Sequence, residues 1–193
     1  MKPWQRLLAL GLAVAVLAHL LAVWAAPRLI MREAMSRIAQ ETAGQPAAQA
    51  AAGVYLPPPT DHTQRRIVMP SPDLLYATCA LDLGAGPQLI TAQVAHPRYW
   101  SVALYGANSD NFFVVNDRRL AEDAAATAPG RLELLVVAPG TDRTTLRAPA
   151  GATVVEAPSA KVLLLMRLLV TDDRADLDSA QRARSSLRCK AQP

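Results

Sequence analysis

The hydrophobic pattern divides the chain into three unequal regions. Residues 7–26 form a run of mostly Leu, Ala and Val, and no charged residue occurs from position 7 to position 27. A helix of twenty residues rises about 30 Å, the thickness of a bilayer's hydrocarbon core, so this run predicts one transmembrane helix. Trp4 and Trp24 stand near its two ends, where indole rings favour the membrane interface. Beyond Pro27, the apolar residues Met31, Met35 and Ile38 recur at helical spacing and predict a juxtamembrane helix over 28–41. Residues 43–53 (AGQPAAQAAAG) are low in complexity and read as a tether, stiffened at its end by Pro57, Pro58 and Pro59.

From position 65 the pattern changes to short apolar runs separated by Pro, Gly, Asn or Asp. Strands are predicted over 67–69, 74–83, 88–94, 99–106, 112–116, 131–137, 144–148, 153–156 and 161–170. Trp100, Val102 and Leu104 alternate with Ser101 and Ala103, as one face of a half-buried strand should. Residues 163–169 are the most apolar run and predict a central strand. Many short strands at turn-limited spacing imply a mainly β domain, an antiparallel β-sandwich or open barrel. A C-terminal helix follows, with Thr171 as its cap, Asp172, Asp173, Asp176 and Asp178 early, and Arg182, Arg184, Arg188 and Lys190 late. That charge order complements a helix dipole. Leu177, Ala180, Arg184 and Leu187 share a face, so the helix is expected to lie flat on the sheet. The expected layout is an anchor at 1–27, a juxtamembrane helix and tether at 28–53, and a β-rich domain at 54–193.

Charge adds one exclusion. The formal net charge is +4, but residues 1–53 hold five basic side chains against two acidic ones, and the remainder carries only +1. A nucleic-acid binder needs its basic patch on the folded domain, so no nucleic-acid partner is expected. The surplus sits beside the apolar run, where the membrane explains it. Lys2 and Arg6 favour a cytoplasmic N-terminus, and Arg28, Arg32 and Arg37 oppose it. A cleaved signal peptide, with a cleavage site at Val23-Trp24-Ala25, is the rival reading and would make the protein a secreted binding domain. The apolar run exceeds the roughly 7–15 residues usual for a signal, which favours an uncleaved anchor.

The chemistry-bearing residues are sparse. Cys79 and Cys189 are the only cysteines, too far apart in sequence for a clustered zinc site. They form either a disulfide, joining a strand to the end of the C-terminal helix in an oxidising compartment, or two free thiols. The first alternative supports an N-in topology with the domain outside. Asn108, Asp110, Asn111, Asn116 and Asp117 form the densest polar cluster, and Asn and Asp of this kind dominate tight turns. Their spacing is not that of a calcium loop. Asp73, Tyr76, Tyr99 and Asn111 would line the polar pocket of an anchored enzyme, the alternative to a binding or assembly module. The ligand-binding candidates are thus Asp73, Tyr76, Tyr99, Asn108, Asp110 and Asn111. His19, His62 and His96 are isolated, and no nucleophile elbow, phosphate loop or zinc-protease motif occurs. No catalytic residue, metal or cofactor is assigned.

The order Ser71-Pro72-Asp73-Leu74-Leu75-Tyr76, Leu81-Asp82-Leu83, Gly86-Pro87, Tyr99-Trp100-Ser101, Leu104-Tyr105, Asn108, Asp110-Asn111-Phe112-Phe113 and Asn116-Asp117 resembles the bacterial family known as domain of unknown function 1254. The resemblance covers about 54–190 and is strongest from Tyr99 to Phe113. It points to the short, bacterial, membrane-anchored members; with the N-in topology above, the expected location is the inner membrane with the domain facing the periplasm. Longer members join this domain to one of a companion family, domain of unknown function 1214. The resemblance therefore implies a separate membrane-anchored companion protein of that family, beside the lipid bilayer expected as a partner from the apolar run 7–26. Ser71-Pro72 stands where longer members tend to have an Asn pair, which separates this chain from any activity of theirs.

Overall fold

Alternation along the strands decides the architecture. The computed structural model describes residues 2–59, 70–118, 130–144 and 146–192. Among these, β1 (Leu74–Asp82), β7 (Lys161–Leu169), β3 (Trp100–Gly106) and β4 (Asn111–Asn116) form one sheet, in the order β1-β7-β3-β4. The second sheet has the order β6-β5-β2-β8, from β6 (Thr153–Glu156), β5 (Arg131–Val137), β2 (Gln88–Gln93) and β8 (Arg188–Ala191). In the first sheet Leu75, Ala77, Cys79 and Leu81 of β1 lie in register with Leu168, Met166, Leu164 and Val162 of β7, and all are buried. Ile90, Leu132, Leu134, Val136 and Val155 supply the second sheet's share of the same core. The fold is the expected sandwich, and β7 is the expected central strand, flanked by β1 and β3.

The pairing is antiparallel except at one edge. β5 and β6 run parallel, with Leu135 opposite Val154, because residues 138–152 carry the chain back before β6 begins. β3 is covered on both faces. Trp100, Val102 and Leu104 point into the core, yet Ser101 and Ala103 on the other face are fully buried too. The expected strand at 144–148 does not form in its described residues, because the Asp142 carboxylate accepts from both the backbone N–H and the hydroxyl of Thr144 and closes a turn. The expected strand 67–69 lies outside the described residues.

The helices depart from expectation more than the strands do. The anchor and juxtamembrane helix are one, α1 (Pro3–Ala43), with Pro27 inside it. Proline's fixed φ suits a helix, but an interior proline removes one backbone donor and crowds the carbonyl four residues earlier; α1 continues through it nonetheless. Residues 2–24 are exposed throughout, whereas Met31, Ala34 and Ile38 are buried against the domain. Residues expected as a tether are partly built into the fold. The chain makes α2 (Ala47–Ala50), then buries Ala52 and Val54 and pairs Tyr55 with Thr78 at the free edge of β1. Gly53 adopts a left-handed φ of 69°, and a Cβ there would sit 2.4 Å from the Cys189 carbonyl oxygen, so a side chain cannot fit.

The C-terminal helix is α3 (Arg174–Ser185), capped by Asp173 rather than Thr171: the Asp173 carboxylate accepts the Ala175 N–H. Its buried stripe is Asp176, Ser179, Ala180, Ala183 and Arg184, and Leu177 is turned outward at 38% exposure. Asp176 takes the inner place because the Thr171 hydroxyl and Arg98 bond its carboxylate. Cys189 does not end this helix. The chain leaves α3 at Ser186 and becomes β8, where the Cys189 N–H donates to the Ala52 carbonyl and the open edge of β2 supplies the ladder.

Candidate functional site

A groove of about 750 Å³ lies where α1 leaves the domain. One wall is the face of α1 that carries Arg28, Arg32, Met35 and Ala39, spaced by three or four residues and therefore aligned along the helix. The opposite wall is the rim of the first sheet: the end of β1 at Ala80–Asp82, the β3–β4 turn at Asn108, and the start of β7 at Lys161. The turn also fastens the helix, since the Ser109 hydroxyl donates to the Pro27 carbonyl at 3.0 Å.

The groove's charges are unequal in freedom. The Lys161 ammonium donates to the Asp82 carboxylate at 2.6 Å, and this bond, with that of the Gly84 N–H, holds the Asp82 carboxyl below the usual carboxylate range. Arg28 stacks over the Trp24 ring, 4.4 Å from its centroid, and donates to the Trp24 carbonyl. Arg32 lines the groove with no hydrogen bond or ion pair among the described residues. Met35, Ala39, Ala80 and Leu81 make the rest of the lining largely apolar. The arrangement suits a molecule with one anionic end and an apolar remainder.

The six ligand candidates separate into two groups. Asp73 and Tyr99 lie at one end of the first sheet, where their carbonyls accept the N–H groups of Val170 and Leu169. Tyr76 is near them on β1, with its hydroxyl accepting the Ser71 N–H at 2.9 Å. Asn108, Asp110 and Asn111 lie at the opposite end, beyond the seven residues of β3 and so about 20 Å away. Asn111 is paired with Tyr105 there, so Asp73, Tyr76, Tyr99 and Asn111 do not line one pocket. Asn108 and Asp110 bond each other around Ser109, which has a left-handed φ of 73°, and they act as turn residues. Asn108 also reaches the groove.

Two polar clusters escape a reading of the sequence. In the first, His96 Nδ1 lies 2.8 Å from the Ser179 hydroxyl and Nε2 lies 2.7 Å from the Leu169 carbonyl. The Ser179 hydroxyl donates to the Asp176 carbonyl, and the Thr171 hydroxyl and then Arg98 hold the Asp176 carboxyl below its ordinary range. This is not a hydrolase triad. The ring nitrogen remote from the serine faces a backbone carbonyl instead of a carboxylate, and both His96 and Ser179 are buried. The cluster pins the start of α3 to the strand ends. In the second, Tyr76, Arg167 and Ser101 stand side by side across β1, β7 and β3. Among the described residues, buried side-chain atoms of Arg167 and Ser101, and of Thr78 and Asp117 elsewhere, have no hydrogen-bond partner. No group of three His, Cys, Asp or Glu side chains among the described residues is placed to hold a metal ion.

Fold and groove together define a class: a β-sandwich of two four-stranded sheets carried on one long apolar helix. The chain belongs to the family described as "Protein of unknown function (DUF1254)", whose model matches residues 53–191. A crystal structure of the VPA0106 protein from Vibrio parahaemolyticus is similar, with a TM-score of 0.56 at 15% identity over 88% of this chain and 36% of that one. A crystal structure of an uncharacterised protein from Burkholderia cenocepacia gives a TM-score of 0.44 at 17% identity, over 69% of this chain and 33% of that one. This chain thus spans about a third of the length of those solved relatives. No curated protein matches the sequence significantly.

Proposed function

We propose that the protein is a single-pass membrane protein whose sandwich is held at the periplasmic surface of the inner membrane as a binding or assembly module. The observation that carries this reading is the double use of α1. Its first part exposes Leu7, Leu8, Leu10, Leu12, Leu17, Leu20 and Leu21, a surface water would not tolerate, while its second part buries Met31, Ala34 and Ile38 on the domain. A helix used in this way fixes the height of the domain above a membrane instead of trailing it on a string. The Cys79–Cys189 disulfide supports an oxidising compartment and hence the periplasmic side.

The partner proposed is a membrane-anchored protein of the 1214 family, recognised mainly through the sheets. The support is the resemblance to longer members, together with the Vibrio chain, of which this fold makes up 36%. Two anchors confined to one layer raise the effective concentration of each partner, so a modest interface suffices. Affinity capture from native membranes, with the anchor retained, is expected to recover the companion. Recovery of this chain alone, even after crosslinking, would contradict the pairing.

A further inference from the structure

We infer that the groove between α1 and the sandwich rim is a binding site for the headgroup of an anionic phospholipid, with its phosphodiester on Arg32 and Arg28. The inference rests on the membrane-anchor reading and adds a ligand to it. Arg28 and Arg32 follow the end of the apolar run at residue 26 by two and six residues, or about 3 and 9 Å along the helix. The headgroup layer on each side of a bilayer is about 5–8 Å deep, so both guanidinium groups reach it. Trp24, exposed beside Arg28 and in contact with it, marks the same depth.

Charge complementarity selects the occupant. Lys161 is already matched by Asp82, which leaves Arg28 and Arg32 as the groove cations with no carboxylate partner among the described residues. A guanidinium offers a fork of N–H donors that fits two phosphate oxygens. A zwitterionic lipid would bring its own cation against them, whereas an anionic lipid brings none. Asn108 on the facing wall is a polar neighbour whose amide is bonded to Asp110, and the acyl chains of a lipid so held remain in the bilayer beside the exposed leucines of α1. Met35 and Leu81, with the other apolar lining, flank the carbons of the headgroup.

The test uses the full chain, purified in mild detergent and titrated with phosphatidylglycerol or phosphatidylcholine, with bound lipid counted by native mass spectrometry. Phosphatidylglycerol is expected to bind in preference to phosphatidylcholine. Arg32→Gln is expected to weaken that binding about fivefold, and removal of both arginines about 25-fold. Arg37→Gln should leave it unchanged, because Arg37 pairs with Glu33 outside the groove. Equal binding of the two lipids, or an equal loss in Arg37→Gln, would overturn the site and reduce it to general attraction between charges. Displacement of the lipid by soluble glycerol phosphate at similar concentration would assign the groove to a free phosphate ester and overturn the lipid. The anchor reading fails separately, if wild-type chain washes from membranes in alkaline carbonate. A carbonate-resistant chain with no lipid preference sinks the lipid site alone.

Discussion

At the scale of single residues, the chain's most consequential pair is Cys79 and Cys189. Cys79 lies on β1 of one sheet and Cys189 on β8 of the other, so their bond clamps the two layers of the sandwich together. The two are 110 residues apart, and a loop of that size corresponds to roughly 4–5 kcal/mol in the chain-entropy model. Cys79→Ser is expected to lower stability by about 2–5 kcal/mol in urea unfolding of detergent-solubilised protein. Thiol labelling of unfolded, unreduced chain taken from its native compartment should find no free cysteine. Two reactive thiols would contradict both the bond and the periplasmic side. Arg184 does comparable work without a covalent bond: it donates to the carbonyls of Pro57 and Tyr76 and so ties α3 to the domain's entry and to β1.

At the scale of elements, the second half of α1 is part of the domain's structure. Ile38, only 3% exposed, is its deepest contact. In a shortened chain starting at Arg28, Ile38→Ala is expected to cost about 2–5 kcal/mol in urea unfolding. Glu33→Ala on the exposed side breaks only a surface pair and is expected to cost about 0.5 kcal/mol or less. Equal effects would mean that the helix does not dock. The elements that were legible in the sequence are those where one local pattern suffices. β1, β2, β3, β5 and β7 are apolar runs bounded by turn residues, β2 and β7 with clean alternation, and each lies within one or two residues of its expected place. The failures need information from elsewhere in the chain. β8 has no pattern of its own and exists because the edge of β2 accepts it. The inner place of Asp176 depends on Arg98, 78 residues earlier. The groove was illegible for the same reason: Arg28 and Arg32 read as membrane flanks, and only folding brings Lys161 and Asn108 opposite them.

At the scale of the whole molecule, these parts make one rod with a sandwich on its side. The 41 residues of α1 extend about 60 Å, of which about half is long enough to span a bilayer. The rest lies along the domain, and on the proposed anchoring it would set the groove at the level of the headgroups. The central claim is that residues 7–26 are an uncleaved transmembrane anchor. Alkaline carbonate extraction of membranes tests it most directly, with the full chain compared with the chain starting at Arg28. The full chain, its N-terminus intact by mass, is expected in the membrane pellet, and the shortened chain is expected folded in the supernatant. Full-length protein with an intact N-terminus in the carbonate supernatant would contradict the account.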